Sequence, residues 1–276
     1  MLLNFLAELR LWVFSRKPWL MLLGFGITIA LWYLLVDYFQ VPRFKELPSV
    51  VTVAEEWISR DPVYGISIFT AEYYQHIVTS LLRVSIAFLL ATAIGVPLGL
   101  ILGWSQRCRE YIFPIFETLR PIPPLAWIPL AILMFQGRET PIIFLTFLAS
   151  FFATTLNTML GVRSIDDTYI RAARCLGASD IQIFRHVIIP GSLRYIFNGL
   201  QISIGVAWFS LVAAEMVSGE YGLGYMINTG YTMIAYPTII IGMITLGMVG
   251  FATSAIVSFI GARLTAWHAS GNGMAA

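Results

Sequence analysis

Charged residues are scarce in this sequence of 276 residues: Asp, Glu, Lys and Arg make up 12% of it, whereas hydrophobic residues make up 58%. Soluble domains carry roughly 25% charged residues, and a soluble fold of this length would need far more polar surface. The formal net charge of only +2 gives no indication of a nucleic-acid partner. The composition therefore predicts a protein that lies largely within a lipid bilayer.

Reactive and metal-binding side chains are also few. The two cysteines, Cys108 and Cys175, show no spacing typical of a zinc site. The three histidines, His76, His186 and His268, are scattered and are expected to be interfacial or loop side chains. No Walker A pattern occurs, so the chain cannot itself bind ATP phosphates, and no G-x-S-x-G or H-E-x-x-H motif supports a membrane hydrolase. We expect no catalytic residue, metal or cofactor in this chain.

Six apolar runs are long enough to cross a membrane, since a spanning helix needs about 20 mainly apolar residues. They cover residues 19–39, 76–103, 113–135, 141–162, 195–217 and 237–264. In the second run, Gly95, Gly99 and Gly103 recur at every fourth position and would let another helix approach closely. The prediction is an all-α membrane protein with about six transmembrane helices.

Segments of different character divide the chain. Residues 1–75 are predicted to hold an N-terminal anchor helix and an extracytoplasmic linker, in which a capping box at Thr52 would begin a short amphipathic helix. Residues 76–264 would form the main membrane domain, interrupted by a polar loop at residues 163–191. Residues 218–236, rich in glycine and tyrosine, are expected to be a loop at the outer surface. The remaining residues, 265–276, would be a cytoplasmic tail.

Lysines and arginines indicate the orientation, because cytoplasmic segments of membrane proteins carry an excess of them. With a cytoplasmic N-terminus, the outer segments hold four: Arg43, Lys45, Arg60 and Arg138. The inner segments then hold eleven: Arg10, Arg16, Lys17, Arg107, Arg109, Arg163, Arg171, Arg174, Arg185, Arg194 and Arg263. Both termini are therefore predicted to lie in the cytoplasm.

The polar loop is the most informative stretch of the sequence. Apolar residues from Ile170 to Leu176 fall on one side of a helix, and Gly177 then allows a turn. A second short helix would follow and end at Ile189-Pro190, because the residue before a proline disfavours the helical conformation. The pattern predicts a helix–turn–helix with a shallow face for a partner protein. An ordinary amphipathic loop is the alternative.

This loop resembles the EAA loop of ATP-binding-cassette (ABC) importer permeases, which reads Glu-Ala-Ala, three residues, Gly, nine residues, Ile-x-Leu-Pro. The matching residues are Ala172, Ala173, Gly177, Val187, Ile188, Ile189 and Pro190. Arg171 stands where the family has Glu, although permeases of the taurine subgroup look similar in carrying Ile-Arg-Ala-Ala here. The resemblance extends over residues 76–264 and implies the fold of a type I ABC importer permease.

Residues 119–130, 212–216 and 264–268 look like those of the nitrate, sulfonate, taurine and bicarbonate permeases, with the taurine branch nearest. This resemblance implies a bacterial inner-membrane protein that works with a second permease copy, an extracytoplasmic solute-binding protein and ATPase subunits that bind ATP and Mg. It also implies which residues couple the permease to the ATPase: Arg171, Ala172, Ala173, Leu176, Gly177, Ala178, Asp180, Ile189 and Pro190.

Arg120 in the third run is a candidate for the substrate pathway, because a charge inside a span is costly and usually faces an interior cavity. Pro121, Pro123 and Pro124 would break the helix beside it. A cation next to the start of the following half-helix would suit an anion. The alternative is that Arg120 pairs with Glu117, three residues earlier.

Arg83 in the second run is a further pathway candidate, at the outer entrance, unless it snorkels to the interface. Glu215, near the outer end of the fifth run, is a gating or helix-packing candidate rather than a substrate ligand, because its charge would repel an anion. The arginines and the resemblance favour a small anion or zwitterion, with taurine or another alkanesulfonate first and nitrate or bicarbonate second. An ATP-independent secondary transporter is the alternative from another class, although midplane acidic residues and inverted repeats are not evident.

Overall fold

The computed structural model describes residues 16–44 and 46–265, and this part of the chain is helical, with no β-strand in it. Its α-helices are α1 (Arg16–Tyr33), α2 (Val50–Ile58), α3 (Ala71–Trp104), α4 (Gln106–Leu119), α5 (Ile128–Met134), α6 (Glu139–Arg163), α7 (Asp167–Cys175), α8 (Asp180–Ile183), α9 (Ile189–Ser218), α10 (Leu223–Thr232) and α11 (Tyr236–Leu264). The predicted all-α architecture is confirmed. Most of the predicted cytoplasmic tail, like Arg10, lies outside the described residues.

Five stretches of the described chain are long and apolar enough to cross a membrane. They are Trp19–Tyr38, Ala71–Trp104, Glu139–Arg163, Asp180–Ser218 and Tyr236–Leu264. The predicted third span is divided instead into α4 and a shorter apolar stretch, Pro124–Met134. The cause is the cluster of prolines between them, since proline lacks an N–H and disfavours a helical residue before it. The third of the six predicted spans is therefore present in broken form.

The described chain divides into two compact units, of which the larger holds residues 71–229 and those from 242 onward. Its core is formed by α3, α6 and α9. The predicted close approach at the glycines of α3 is confirmed, because α3 packs against α6 along them. A Cβ atom at Gly99 would lie only 2.6 Å from the carbonyl oxygen of Thr155 and from Cβ of Thr158.

Hydroxyl groups join α6 to α9 within this core. The Ser203 hydroxyl donates to the carbonyl oxygen of Ser150 at 2.8 Å, and the Thr154 hydroxyl donates to the Ser203 oxygen at 2.8 Å. All three residues are buried. Hydrogen bonds of this kind hold transmembrane helices together because lipid offers no alternative partner.

The prediction that residues 218–236 form an outer loop is wrong in part, because this segment contains helix α10. Gly219 ends α9 with its N–H bonded to the carbonyl oxygen of Glu215 at 2.9 Å. Gly222 then adopts a φ of +125°, which is open to glycine and strained for other residues. The glycines that indicated a loop thus form the turns that place a helix.

The smaller unit holds residues up to 70 together with residues 230–241. Helix α2 begins there with Ser49 as its N-cap, and the Ser49 hydroxyl accepts a hydrogen bond from the backbone N–H of Thr52 at 3.0 Å. The capping box predicted at Thr52 is therefore wrong, because Ser49 caps the helix three residues earlier. Val53 of this helix is buried.

Gly99→Val should destabilise the larger unit by about 1–3 kcal/mol, since the added methyl groups must displace α6. Gly247→Val in α11 is the matched control, because a Cβ there meets no atom within 4 Å. The control should change the free energy of unfolding by less than about 0.5 kcal/mol. Unfolding in mixed detergent micelles measures both, and equal effects would contradict the packing described for α3 and α6.

Candidate functional site

The polar loop folds as the predicted helix–turn–helix. Asp166 caps α7 by accepting the backbone N–H of Thr168 at 2.8 Å, and this bond holds the pKa of the Asp166 carboxyl below its usual value. Gly177 follows α7 with a φ of +81°. The N–H of Ala178 bonds back to the carbonyl oxygen of Ala173 at 3.0 Å, which closes the turn as glycine-ended helices commonly do.

The predicted helix end at Ile189-Pro190 is wrong. A π-helical segment, Phe184–Ile188, joins α8 to α9, so the helical path runs from Asp180 to Ser218 without a break. Pro190 lies in the first turn of α9, where a missing N–H costs little. The wider π turn before it changes the hydrogen-bond pattern and accommodates the proline ring.

The predicted coupling residues fall into two groups. Five are exposed on the surface of the loop: Arg171, Ala172, Leu176, Gly177 and Asp180. Three are half-buried and pack against an apolar cluster beneath it: Ala173, Ala178 and Ile189. Pro190 is half-buried and lines a groove of about 790 Å³ with Tyr169, Ala172, Leu176 and His186 among its other walls. The loop therefore has an exposed edge and an anchored base.

Ile183 and Ile188 anchor the loop. Sequence reasoning did not single out Ile183, and it named Ile188 only as part of the match to the EAA loop. They are 0% and 1% exposed, and they pack with Leu100 of α3, Val162 of α6 and Ile196 of α9. Residues five apart lie about 140° from each other around an α-helix, so the α-helical period hides them. In the π turn they face the same cluster. Only a search with a longer period could have found them.

Arg83 lies at the centre of a second site, which we call the buried ion cluster (Arg83, Glu139 and Glu215). Its guanidinium donates to Glu215 Oε1 at 2.8 Å and to the two carboxylate oxygens of Glu139 at 2.7 and 2.5 Å. It also donates to the carbonyl oxygen of Tyr221 at 2.6 Å. Arg83 is 3% exposed and Glu215 is 0% exposed, whereas Glu139 is 61% exposed. The cluster thus has a buried pair and one exposed arm.

The same face of α3 holds the start of α10. The backbone N–H of Leu223 donates to the Ser80 hydroxyl at 2.8 Å, and that of Gly224 donates to Glu215 Oε2 at 2.9 Å. The N–H of Gly222 donates to His76 Nδ1 at 3.0 Å. His76, Ser80 and Arg83 are spaced four and three residues apart, which places them on one side of α3. These bonds satisfy amide groups that a helix leaves free at its start.

The expectation that His76 is an interfacial or loop side chain is wrong, because it is 2% exposed and bonded to the Gly222 N–H at the start of α10. The alternative that Arg83 snorkels to the interface is also wrong, since its guanidinium is enclosed by two carboxylates. Its role in the pathway, and that of Glu215 in gating, stay predictions. Sequence reasoning missed Glu139, because it lies between the third and fourth predicted runs, where a charged residue is not unusual.

Arg120 follows the last residue of α4 and lines a separate cavity of about 240 Å³. Its other walls are mostly apolar and include Pro124, Phe152 and Val206. In the part of the chain that the structure describes, no ion pair joins Arg120 to Glu117. Pro121 and Pro123 lie exposed in the break between α4 and the 3₁₀ turn at Pro124–Trp127. Arg120 therefore lies beside the break at the prolines, as predicted. The role of Arg120 in transport stays a prediction.

Residues 95–267 match the family model described as the binding-protein-dependent transport system inner membrane component. The chain belongs to this family. The match covers more than half of the chain and includes the polar loop, Arg120 and Glu215. The protein is therefore the permease component of an ABC importer, which is a transport subunit.

Relatives of this permease support a narrower placement. It is 38% identical to a probable ABC transporter permease protein of Brucella abortus (strain 2308), over 90% of its own length and 94% of that protein. It is 33% identical to the taurine transport system permease protein TauC of Escherichia coli (strain K12), over 93% and 92% of the two chains. The nitrate import permease protein NrtB of Leptolyngbya laminosa is 33% identical, over 88% and 86%. The resemblance to the nitrate, sulfonate, taurine and bicarbonate permeases is thereby confirmed.

Solved structures with a similar fold are ABC importers. A bacterial ABC transporter involved in the import of the acidic polysaccharide alginate matches with a TM-score of 0.62 and 15% identity, over 93% of this permease and 99% of that chain. An inward-facing MetNI methionine ABC transporter matches with a TM-score of 0.58 and 21% identity, over 70% and 94%. At these identities the likeness concerns the fold alone, and it confirms the predicted ABC importer permease fold.

Arg83→Met should lower the free energy of unfolding by about 3–5 kcal/mol, because Glu215 would stay buried without its cation. The double variant Arg83→Met/Glu215→Gln should lose less, since no uncompensated charge remains. Arg138→Met is the control, because it removes an exposed pair with Glu220 worth about 1 kcal/mol at most. Unfolding in mixed micelles compares the three; a double variant less stable than Arg83→Met would refute the role of the buried charge.

Proposed function

We propose that this permease imports a small anion or zwitterion, taurine or another alkanesulfonate first, driven by a separate ATPase that docks on the polar loop. The observation that carries the proposal is the exposed edge of that loop. Leu176 is 88% exposed and Ile181 is 77% exposed, on either side of the Gly177 turn. Apolar side chains so exposed beside charged ones are typical of a surface that a partner protein covers.

The anchored base of the loop supports a coupling role. Ile183 and Ile188 pack against residues of α3, α6 and α9, which are the helices that form the core of the larger unit. A displacement of the loop by the ATPase therefore acts on all three helices at once. Interiors this closely packed shift between discrete arrangements rather than deform gradually. ATP and Mg bind to the ATPase in this proposal, and the permease needs no cofactor.

Arg171 takes the place of the family's Glu on the exposed edge. Its guanidinium has one long hydrogen bond to the Thr168 hydroxyl, at 3.5 Å, so it is available to a partner. We assign it a carboxylate of the ATPase as its counter-charge. A Glu at this position would instead need a cation on the ATPase. Asp180 on the same edge keeps a loose ion pair with Arg174 at 3.4 Å.

Arg120 is the stronger of the two arginine candidates for the substrate pathway. Its guanidinium pairs with no carboxylate among the described residues, whereas Arg83 has two partners. An unpaired cation at the wall of an otherwise apolar cavity suits a sulfonate or carboxylate group. The relatives named for taurine and nitrate transport support the same anionic class, and nitrate or bicarbonate is the second candidate.

The buried ion cluster suits a gate on the outer side, where a solute-binding protein would deliver the substrate. Glu139 is the exposed member of the cluster. Its carboxylate can leave Arg83 and become hydrated at modest cost, while Arg83 and Glu215 stay paired. The distribution of lysine and arginine supports this orientation, with both termini in the cytoplasm of a bacterial inner membrane. A second copy of the permease would complete the pathway.

Gly177→Leu should abolish ATP-driven uptake while the protein still inserts into the membrane, because a bulky side chain at the turn would block docking. Gly137→Leu is the matched control: both glycines have φ above +80°, and a Cβ at either meets no atom within 4 Å. The measurements are taurine uptake by cells of the native host and co-purification of an ATPase identified by its Walker A motif. Normal uptake with Gly177→Leu would refute the docking role, and uptake without any co-purifying ATPase would favour a secondary transporter.

Arg120→Ala should reduce uptake about tenfold or more, since a charge-assisted bond to an anion is worth roughly 1.5–3 kcal/mol, while the ATPase still co-purifies. Arg120→Lys should retain part of the uptake, because the charge is kept. Arg138→Ala removes a charge outside the proposed pathway and should have little effect. Uptake kinetics as a function of taurine concentration decide the matter, and an unchanged rate with Arg120→Ala would remove this residue from the pathway.

A further inference from the structure

Three arginines from three helices line a cavity of about 500 Å³ beside the polar loop. They are Arg109 of α4, Arg163 at the end of α6 and Arg174 of α7. We call this cavity the arginine pocket. It shares one wall residue, Ile165, with the groove lined by Pro190 and none with the cavity lined by Arg120.

Positive charge in the arginine pocket is poorly compensated. Asp167 is the one acidic residue among its lining residues. Arg174 has a loose ion pair with Asp180 at 3.4 Å, and both side chains are more than half exposed, so water screens this pair strongly. Arg109 reaches only the carbonyl oxygen of Leu102, at 3.5 Å. The Arg163 side chain makes no hydrogen bond or ion pair with another described residue, and like charges that line one cavity favour a bound anion.

The walls of the pocket favour a lipid. Trp104 and Arg163 end α3 and α6, two candidate membrane spans, so the pocket lies at the ends of spans, where lipid headgroups are expected. Trp104, Ile165 and Ile188 supply an apolar side to it. Basic pockets at the ends of transmembrane helices bind anionic headgroups in this way, and guanidinium groups match phosphate oxygens two at a time.

We propose that the arginine pocket binds the phosphate group of an anionic phospholipid from the adjacent leaflet. A phosphate held there would link Arg174 on α7 to Arg163 at the end of α6, and so join the polar loop to the spans electrostatically. Occupancy would fix the position of α7 and thereby set how readily the loop moves. This assignment does not depend on which substrate the permease carries.

Native mass spectrometry of the full-length permease, with phosphatidylglycerol or phosphatidylcholine added to the micelles, tests the proposal. We expect tighter binding of phosphatidylglycerol, and a loss of roughly tenfold in its affinity with Arg163→Gln, because a charge-assisted contact is removed. Arg263→Gln is the matched control, since Arg163 and Arg263 both occupy the last turn of a candidate span and Arg263 does not line the pocket. It should change the affinity less than twofold.

Two further arms separate the sources of the anion and guard against misfolding. Arg163→Lys keeps the charge but lacks the planar guanidinium, and it should retain part of the phosphatidylglycerol affinity. Arg109→Gln should repeat the effect of Arg163→Gln. Inorganic phosphate that binds while phosphatidylglycerol shows no preference over phosphatidylcholine would overturn the lipid assignment. So would Arg163→Gln with unchanged phosphatidylglycerol binding but less co-purified ATPase, because the arginines would then face the ATPase.

Discussion

Arg83 and Glu215 form an ion pair that is buried in the larger unit, and the contacts that join α3, α9 and the start of α10 depend on it. Two charges taken out of water are stable only when each is fully paired and hydrogen-bonded. The Glu215 carboxylate meets this condition by accepting from the Arg83 guanidinium, the Ser80 hydroxyl and the Gly224 N–H. Helices α3, α9 and α10 therefore converge on one carboxylate. Gly222 passes directly over it, where any larger residue would collide with the Glu215 side chain.

The arginines of this permease differ in whether a carboxylate of the protein pairs with them. The cations that hold helices together, with Arg83 as the main example, are enclosed by carboxylates. Arg120 and Arg163 are without such partners among the described residues, and each lines a cavity. In the functions proposed above for Arg120 and Arg163, a bound ligand supplies the counter-charge that the protein does not.

The spans and the polar loop could be predicted from the sequence because their signals are local. Apolar length, glycine at every fourth position and the spacing around Gly177 each depend on neighbouring residues. The buried ion cluster could not be assembled in this way, because Arg83 meets Glu139 and Glu215 at separations of 56 and 132 residues. The π turn before Ile189 escaped prediction for another reason: it changes the period by which buried residues are recognised. Glycines around α10 likewise indicated a loop, since their role as turns is visible only with Glu215 in place.

The unbroken helical path from Asp180 to Ser218 has a mechanical consequence. Its 39 residues would form a rod about 58 Å long at 1.5 Å per residue. Glu215 lies near one end of this rod, and the turn at Gly177 adjoins the other. A tilt of about 5° around the middle would move each end by about 2.5 Å at that length, enough to break a hydrogen bond. A displacement of the loop that tilted this helix would therefore also move Glu215, at its other end.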